Sequence, residues 1–276
     1  MQKQKLFKYW KKLWLSSQEI ESVILHYTGL TNSHFFLVDT VDNYQEILGV
    51  FEKISTWKPI EYVIWVSEFI GRKYFVDEST LIPRQDTELI VQAVLDQKYD
   101  NQTQYIEIGT WSWIIAISLA LELKNTSSIQ AYDVSKKALQ VAQKNAREHR
   151  VENKIQFWIS DLLDWVDLSY RSKIQKIIII ANLPYIKNKD YWNMSASTVT
   201  YEPSLALYGG EKTGFELYEK FVHQILKKKL LQDVELFIEI GFDQAEIARQ
   251  FFTDLWLNFE FYKDSATIDR VVHIYF

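Results

Sequence analysis

The sequence contains no cysteine, only 8 glycines and 4 prolines in 276 residues, and no long apolar run. The lack of cysteine excludes disulfide scaffolds, thiolate zinc sites and cysteine nucleophiles. No stretch approaches the roughly 18 apolar residues that a membrane-spanning helix needs, and no signal-peptide hydrophobic region follows the basic N-terminus. The sequence therefore predicts a soluble, cytoplasmic protein, and no metal site is expected.

The remaining composition is that of a globular chain, with 47% hydrophobic residues, 24% charged residues and a formal net charge of −5. These fractions exclude wholesale disorder, and the length allows a small domain beside one of about 200 residues. A negative net charge disfavours a protein that clamps duplex nucleic acid. The chain has 10 tryptophans beside its 8 glycines, although glycine usually makes up about 7% of a protein.

Three hydrophobic patterns divide the chain. Residues 1–72 repeat apolar side chains at helical spacing, with Ser16 or Ser17 as an N-cap, and predict a small helical domain. Residues 73–84 alternate and predict a connecting β-hairpin that turns at residues 77–80. In residues 85–276 strands alternate with helices before a terminal strand pair, which predicts a doubly wound α/β sheet.

Candidate binding residues follow the predicted strands at their carboxyl ends, where open parallel sheets bind ligands. Gly109 offers backbone N–H groups to a nucleotide-like ligand, or simply forms a tight turn. Asp133 is placed to accept hydrogen bonds from ribose hydroxyls, or it caps the following helix. Asp161 borders an adenine or belongs to a turn. Together, Gly109 and Asp133 are typical of an adenosine-binding domain.

The segment Asn182–Tyr185 reads Asn-Leu-Pro-Tyr and follows an aliphatic run over residues 174–180. The run predicts a central strand that is buried on both faces. Asn182 has an amide that both donates and accepts, and Pro184 fixes φ so that the preceding carbonyl projects. With the ring of Tyr185, these groups can hold a planar amide or amino nitrogen and position it as a nucleophile. The alternative is a proline-ended strand in a turn.

With Gly109 and Asp133, the Asn-Leu-Pro-Tyr segment resembles class I S-adenosylmethionine-dependent methyltransferases that methylate planar nitrogen. The tetrapeptide is shared by DNA and rRNA adenine N-methyltransferases and by protein-glutamine methyltransferases. Four further segments resemble the HemK/PrmC family of release factor glutamine methyltransferases: Pro-Arg-Gln-Asp-Thr-Glu at 83–88, Tyr-Glu-Pro-Ser-Leu-Ala-Leu-Tyr-Gly-Gly at 201–210, Phe-Ile-Glu-Ile-Gly at 237–241 and Asp-Arg-Val-Val at 269–272. This resemblance spans the whole chain.

The resemblance implies a Rossmann-like, mostly parallel seven-stranded sheet with a small N-terminal helical domain. It implies methyl transfer from S-adenosyl-L-methionine to the side-chain amide nitrogen (N5) of the glutamine in the Gly-Gly-Gln motif of peptide chain release factors. The release factor is the expected partner, gripped by the helical domain, and no nucleic-acid or membrane partner is expected.

The resemblance also implies a role for each site residue. The cofactor-binding residues would be Gly109, Thr110, Trp111, Ser112, Trp113, Asp133, Asp161, Leu162 and Asn182. The substrate amide would be bound by Asn182, Leu183, Pro184 and Tyr185, with Asn182, Pro184 and Tyr185 as the catalytic residues. Three charged residues either frame this pocket or form a salt-bridged exit from the hairpin: Arg84, Asp86 and Glu88.

The cofactor loop departs from the family pattern, Glu-x-Gly-Thr-Gly-Ser-Gly, because Trp111 and Trp113 replace the second and third glycines. Glycine allows positive φ and close approach to a ligand, so an indole there should fill the cofactor space. Four other tryptophans also fall where glycine commonly stands: Trp14, Trp57, Trp65 and Trp256. One hypothesis explains all six: UGA codons read as glycine in the cell of origin and as tryptophan in the written sequence.

Two other functions stay open. Asn-Leu-Pro-Tyr by itself also suits an rRNA or DNA adenine N-methyltransferase, which should have a basic face. If the indoles of Trp111 and Trp113 are genuine, the chain would instead be a pseudoenzyme that binds release factor without cofactor.

Overall fold

The structure, a computed structural model, describes residues 1–11, 16–42, 44–109, 114–123, 129–166, 176–228 and 234–276. Its helices are α1 (Lys3–Lys11), α2 (Ser17–Thr28), α3 (Asn32–Leu37), α4 (Tyr44–Ile54), α5 (Ile60–Ile64), α6 (Glu88–Asp96), α7 (Ile114–Glu122), α8 (Lys136–Glu148), α9 (Ala196–Tyr201), α10 (Glu216–Lys227) and α11 (Ala245–Asp254). Its strands are β1 (Val66–Phe69), β2 (Arg72–Phe75), β3 (Thr103–Ile108), β4 (Ile129–Asp133), β5 (Ile155–Ile159), β6 (Lys176–Ala181), β7 (Ile186–Lys187), β8 (Tyr208–Gly210), β9 (Val234–Glu239), β10 (Asn258–Lys263) and β11 (Asp269–Tyr275). Across these described ranges, no helix is long and apolar enough to cross a membrane.

The chain divides into two compact units: Met1–Val66 with Ser195–Tyr201, and Ser67–Met194 with Glu202–Phe276. In the first unit, helices enclose an apolar core in which Ile47 and Phe51 are fully buried. Ser16 caps α2 by accepting a hydrogen bond from Glu19 N, and the Glu19 carboxylate bonds back to Ser16 N. This capping box confirms the predicted serine cap. The role of the helical unit in substrate recognition stays a prediction.

The two-stranded sheet of β1 and β2 lies earlier in the chain than the sequence predicts. Only Ile70 and Gly71 connect the strands, and their φ angles are 46° and 65°. Two successive positive φ values are typical of the tight turns that join hairpin strands. The predicted hairpin over residues 73–84 is therefore wrong. Residues 77–80 form a separate turn, in which the Asp77 carboxylate accepts a hydrogen bond from Ser79 N at 2.9 Å.

The large sheet of the second unit has seven strands in the order β10-β11-β9-β6-β3-β4-β5. Strands β5, β4, β3, β6 and β9 run parallel, and β11 is antiparallel to both β9 and β10. This topology confirms the predicted doubly wound, mostly parallel sheet. After β5 the chain returns to β6 on the other side of β3, so the switch point lies between β3 and β6.

Helices cover both faces of this sheet because its central strands are apolar on both sides. In β6, Ile178 and Ile180 join the apolar cluster formed with α6, α7 and α8. Ile177 and Ile179 join the cluster formed with α10 and α11 on the opposite face. The carboxyl end of β6 is therefore held by packing on both sides.

Candidate active site

The predicted cofactor region begins at Gly109, directly after β3. Gly109 has a φ of 66°, and its N–H donates to Tyr132 O at 2.9 Å. A side chain at Gly109 would overlap the Leu183 side chain, so the turn after β3 packs against the segment after β6. Two sequence-predicted sites thus meet across the switch point. Four predicted cofactor contacts lie outside the described residues: Thr110, Trp111, Ser112 and Trp113.

Asp133 ends β4 and is almost fully buried. Its Oδ1 accepts a hydrogen bond from Ser135 N at 2.7 Å. The N-cap of α8 is Ser135, whose hydroxyl accepts from Ala138 N at 3.2 Å. The helix-cap interpretation of Asp133 is therefore wrong, and its carboxylate lies at the ligand-binding edge of the sheet.

Asp161 and Leu162 follow β5 at the same edge. Leu162 is buried with a φ of 48°, and its carbonyl accepts a hydrogen bond from Ser160 Oγ at 2.9 Å. Asp161 is more exposed, and its carboxylate lies 3.2 Å from Lys220 Nζ of α10. The contribution of Asp161 and Leu162 to adenine binding stays a prediction.

Asn182 directly follows β6, and its side-chain amide is held by two neighbours. Nδ2 donates to Glu239 Oε2 at 2.9 Å and to Thr87 Oγ1 at 3.2 Å. In the described part of the chain, no hydrogen bond reaches Asn182 Oδ1. Because the two acceptors take Nδ2, Oδ1 is the atom that can accept from a ligand.

The backbone after Asn182 is fixed by Tyr218, which lies on α10. The Tyr218 hydroxyl accepts from Leu183 N at 2.8 Å and donates to Glu239 O at 2.5 Å. Burial raises the pKa of Tyr218, so the hydroxyl stays protonated and keeps its donor role. One buried hydroxyl therefore joins the end of β6 to the end of β9.

Tyr185 is packed into the same corner. Its hydroxyl donates to Glu239 Oε1 at 3.2 Å, and its carbonyl accepts from Gln244 Nε2 at 3.0 Å. Burial, together with the nearby Glu239 carboxylate, raises the pKa of Tyr185. The phenol is therefore neutral at physiological pH and acts as a donor to Glu239 rather than as a general base.

Glu239 is a site residue to which sequence reasoning assigned no role. It ends β9, is 1% exposed, and accepts hydrogen bonds from Asn182, Tyr185 and Thr87. Burial raises the pKa of Glu239 to about 7 in spite of these hydrogen bonds. The signal in the sequence is a carboxylate that directly follows three apolar residues, Leu236, Phe237 and Ile238, at the end of β9, the edge where ligands bind.

The charged segment before α6 joins other family-like segments through ion pairs. Arg84 Nη2 lies 2.6 Å from Glu202 Oε1, and the Glu202 side chain is only 1% exposed. Asp86 pairs with Arg270 at 2.5 Å. Arg84 and Asp86 therefore form ion pairs, and their role in framing the pocket stays a prediction. Glu88 instead accepts a hydrogen bond at 2.9 Å from the backbone of the β1–β2 turn.

The Gly-Gly segment lies beside Pro184. Strands β7 and β8 pair in parallel, and Ile186 N donates to Leu207 O at 2.9 Å. A side chain at Gly209 would collide with the Pro184 carbonyl. Glycine at this position therefore allows two backbones to approach each other at the end of the Asn-Leu-Pro-Tyr segment.

Comparison with known proteins identifies similar methyltransferases. A family profile for ribosomal protein L11 methyltransferase (PrmA) matches residues 85–184. The release factor glutamine methyltransferase of Lactococcus lactis is 32% identical, over 82% of this chain and 80% of that protein. The one from Enterococcus faecalis is also 32% identical, over 86% and 85%. The bifunctional methyltransferase of Rickettsia typhi is 31% identical over 95% of this chain but only 54% of its own length, so the chain spans about half of that relative.

Solved structures of methyltransferase domains share the fold. The hMettl16 catalytic domain in complex with MAT2A 3'UTR hairpin 1 matches with a TM-score of 0.56 and 15% identity over 75% of each chain. The N-terminal domain of human METTL16 in complex with SAH matches with a TM-score of 0.51 and 15% identity, over 74% of this chain and 75% of that chain. These likenesses confirm the class I methyltransferase fold and carry no information on the substrate.

Proposed function

The chain belongs to the release factor glutamine methyltransferase family, and from that premise we propose that it methylates N5 of the glutamine in the Gly-Gly-Gln motif of peptide chain release factors, with S-adenosyl-L-methionine as the donor. The observation that carries the proposal is the Asn182 amide. Its Nδ2 is taken by Glu239 and Thr87, which leaves Oδ1 to accept from the N–H of a substrate amide. Relatives of similar length with the same assigned activity support this acceptor.

The described residues of the cofactor region fit an S-adenosyl group. At Gly109 a Cβ would overlap the Leu183 side chain, so the turn after β3 requires glycine and presents bare backbone at the ligand-binding edge. The buried Asp133 carboxylate supplies an acceptor for ribose hydroxyls at the end of β4. When bound, S-adenosylmethionine supplies a methyl group on a positively charged sulfur. The proposed binding set is completed by Thr110, Ser112, Asp161, Leu162 and Asn182, together with the backbone at Trp111 and Trp113, where the family pattern has glycine.

The substrate site positions a weak nucleophile and excludes water. In our proposal, Asn182 Oδ1 and the carbonyls of Leu183 and Pro184 surround the two N–H groups of the substrate amide and so hold its nitrogen in one orientation. Tyr185, which is neutral because its pKa is raised, packs beside the amide. The rate enhancement comes from proximity and desolvation rather than from a strong base. The helical unit supplies the grip on the release factor.

The proposal is tested by asking which acceptor receives labelled methyl groups. The chain as written and the variant with Trp111→Gly and Trp113→Gly are each incubated with labelled S-adenosylmethionine. The acceptors are a release factor, the same factor with asparagine in place of the Gly-Gly-Gln glutamine, ribosomal RNA and duplex DNA. With the variant, we expect label on the unaltered release factor and on none of the other acceptors.

The other outcomes point to the two other functions. Label on RNA or DNA would support an adenine N-methyltransferase. Binding of the release factor without label, in both forms of the chain, would support a pseudoenzyme. Either result would overturn the proposed activity.

A further inference from the structure

We propose that Glu239 is a positioning residue that sets the direction of the Asn182 amide for methyl transfer. This inference rests on the proposed function and assigns a role to a residue that does not itself touch the substrate.

The direction of the Asn182 amide follows from the hydrogen-bonding capacity of the Glu239 carboxylate. An ionised carboxylate only accepts hydrogen bonds, so each polar neighbour must turn a donor toward it. Glu239 has three such neighbours: Asn182 Nδ2 at 2.9 Å, the Tyr185 hydroxyl at 3.2 Å and the Thr87 hydroxyl. Asn182 therefore cannot turn its carbonyl oxygen inward without placing two acceptors together. Its Oδ1 must face away from Glu239.

Thr87 strengthens the same constraint. Its hydroxyl donates to Glu239 and is then free to accept from Asn182 Nδ2 at 3.2 Å. Both protons of the Asn182 amide thus have acceptors. One acceptor is the Glu239 carboxylate, and the other is the Thr87 hydroxyl, which Glu239 orients. A glutamine or a protonated glutamate at position 239 would present a donor of its own. This donor would face the donor of one of the three neighbours. Asn182 would then no longer be held in a single orientation.

The groups around Glu239 indicate that the orientation of Asn182 depends on pH. The charged and titratable groups that face it are Asp86, Arg270, Tyr185 and Tyr218. Asp86 and Arg270 pair with each other at 2.5 Å, and the two tyrosines are neutral because their pKa values are raised. Ionisation of Glu239 itself, whose pKa is raised to about 7, is therefore the change expected near neutral pH. Methyl transfer should decline as the pH falls below about 7.

The test compares Glu239→Gln with Glu235→Gln in the variant that carries Trp111→Gly and Trp113→Gly. Both glutamates lie on β9 and both are buried, but Glu235 lies at the opposite end of the strand. We expect Glu239→Gln to lower kcat by about 100-fold, the scale of a misplaced reacting group, with KM for the release factor little changed. The pH profile of this variant should also lack the decline below pH 7. Glu235→Gln should keep kcat and the profile.

The outcomes separate this inference from the proposed function. If the parent chain methylates no release factor, the proposed function fails, and the positioning role fails with it. If the parent is active and Glu239→Gln keeps its kcat and its pH profile, the positioning role alone is overturned. An equal loss of kcat in Glu235→Gln would also overturn it, because the effect would then be structural.

A second inference is independent of the active site and concerns the tryptophans. Trp14, Trp111 and Trp113 lie outside the described residues, and three of the other seven have positive φ: Trp57 (67°), Trp65 (59°) and Trp256 (58°). Among the described residues only eight non-glycine residues have positive φ, so tryptophan supplies three of eight. A bulky side chain in this region is a genuine outlier. We infer that the natural protein has glycine at 57, 65 and 256.

Trp256 occupies the position after a helix C-cap that usually holds glycine. It follows Leu255, the C-cap of α11, and its N–H donates to Thr253 O at 3.0 Å. Leu257 N donates to Phe252 O at 3.1 Å. These two hydrogen bonds define the Schellman motif, in which the left-handed position usually holds glycine.

Trp65 can be compared with a glycine of the same chain. Trp65 ends α5 with φ 59° and ψ 28°, and its N–H donates to Glu61 O. Gly29 ends α2 with φ 66° and ψ 13°, and its N–H donates to Leu25 O. The two caps have the same geometry, and only one of them is written as glycine.

Exposure separates these tryptophans from one in the core. Trp57 is 71% exposed and Trp256 is 94% exposed, so their indoles bury little apolar area. Trp10 is fully buried in α1 and stacks on Phe51 with ring centroids 3.8 Å apart. Trp10 therefore has the packing role of a tryptophan, whereas Trp57 and Trp256 have the backbone role of glycine. UGA codons read as glycine in the cell of origin would explain the difference.

Tandem mass spectrometry of the protein from its native cells tests this inference. We expect glycine at positions 57, 65 and 256 and tryptophan at position 10. Tryptophan at any of these three positions would overturn the inference.

Urea denaturation of the recombinant protein gives a second readout. Trp57→Gly, Trp65→Gly and Trp256→Gly together should raise the midpoint, because they relieve three strained φ angles. Trp158→Gly, in the extended backbone of β5, should lower it. A triple variant with no higher midpoint than the written chain would contradict the assignment.

Discussion

At the scale of single residues, the candidate site depends on buried polar groups that have two partners each. Tyr218 is the simplest case, because its hydroxyl accepts from Leu183 N and donates to Glu239 O. We expect Tyr218→Phe to lower the free energy of unfolding by about 1–3 kcal/mol, since two buried backbone groups lose their partner. Tyr9→Phe, at a tyrosine that is 51% exposed, should change it by less than about 0.5 kcal/mol. Urea denaturation of both variants measures the difference, and equal stabilities would contradict this role.

Two glycines provide a second prediction at this scale. Gly209 lies against the Pro184 carbonyl, so Gly209→Ala must displace the Asn-Leu-Pro-Tyr segment and should reduce methyl transfer by about 100-fold. Gly49 lies within α4 with open space around it, so Gly49→Ala should stabilise the chain by about 0.5–1 kcal/mol. Transfer rates and urea denaturation of the two variants check both parts. A fully active Gly209→Ala variant would show that the close approach is unimportant.

The sequence predicts those candidate site residues that can be recognised from a single strand. Asn182 stands out because it directly follows the aliphatic strand β6, and Asp133 stands out because it is the last residue of β4. The role of Glu239 could not be predicted, because its partners Asn182 and Thr87 are distant in sequence and meet only in the folded sheet. The helix-cap interpretation of Asp133 failed for a local reason: Ser135, two residues later, takes the cap.

At the scale of elements, the β1–β2 turn shows where pattern reasoning failed. Asp77–Thr80 has the polar composition of a turn, so the sequence predicts the hairpin around it. The actual connection is Ile70-Gly71, of which only Gly71 has a turn signature. Ile70 adopts a φ of 46° because the strand pairing on both sides imposes it. Tertiary context of this kind is not visible in composition.

Strand β9 has a glutamate near each end, and the two carboxyls are shifted in opposite directions. Burial alone would raise the pKa of Glu235, but hydrogen bonds from His273, Lys176 and Tyr99 outweigh it and lower the pKa to about 2. Burial raises the pKa of Glu239 to about 7. The surroundings of Glu235 thus stabilise its charged form, whereas the surroundings of Glu239 favour its neutral form.

This opposition predicts how stability depends on pH. A lowered pKa adds stability above the unfolded value near 4.5, and this is lost as the pH falls toward 2. A raised pKa keeps a proton in the folded state, so stability falls as the pH rises from 4.5 to about 7. Glu235→Gln should therefore flatten the acidic decline, and Glu239→Gln the decline toward neutral pH. Urea denaturation across this pH range measures both, and identical profiles for the two variants would contradict the assignment.

At the scale of the whole molecule, strand–helix alternation was sufficient to predict the sheet. The apolar run that predicted a central strand is β6, and the terminal strand pair is β10 with β11. The parallel order places the ends of β3, β4 and β6 along one edge, which is why separate sequence signals converge on one site. The division into two units includes the return of Ser195–Tyr201 to the helical unit. The sequence of Ser195–Tyr201 does not predict that this segment belongs to the helical unit, because its packing involves segments that are distant in the chain.

The position of the transferred methyl group tests the proposed activity most directly. The measurement is tandem mass spectrometry of a release factor after incubation with S-adenosylmethionine and the variant that carries Trp111→Gly and Trp113→Gly. We predict one added methyl group on the side-chain amide of the glutamine in the Gly-Gly-Gln motif, and none when Asn182→Ala is also present. A methyl group on any other residue, or an unmodified release factor, would contradict the account.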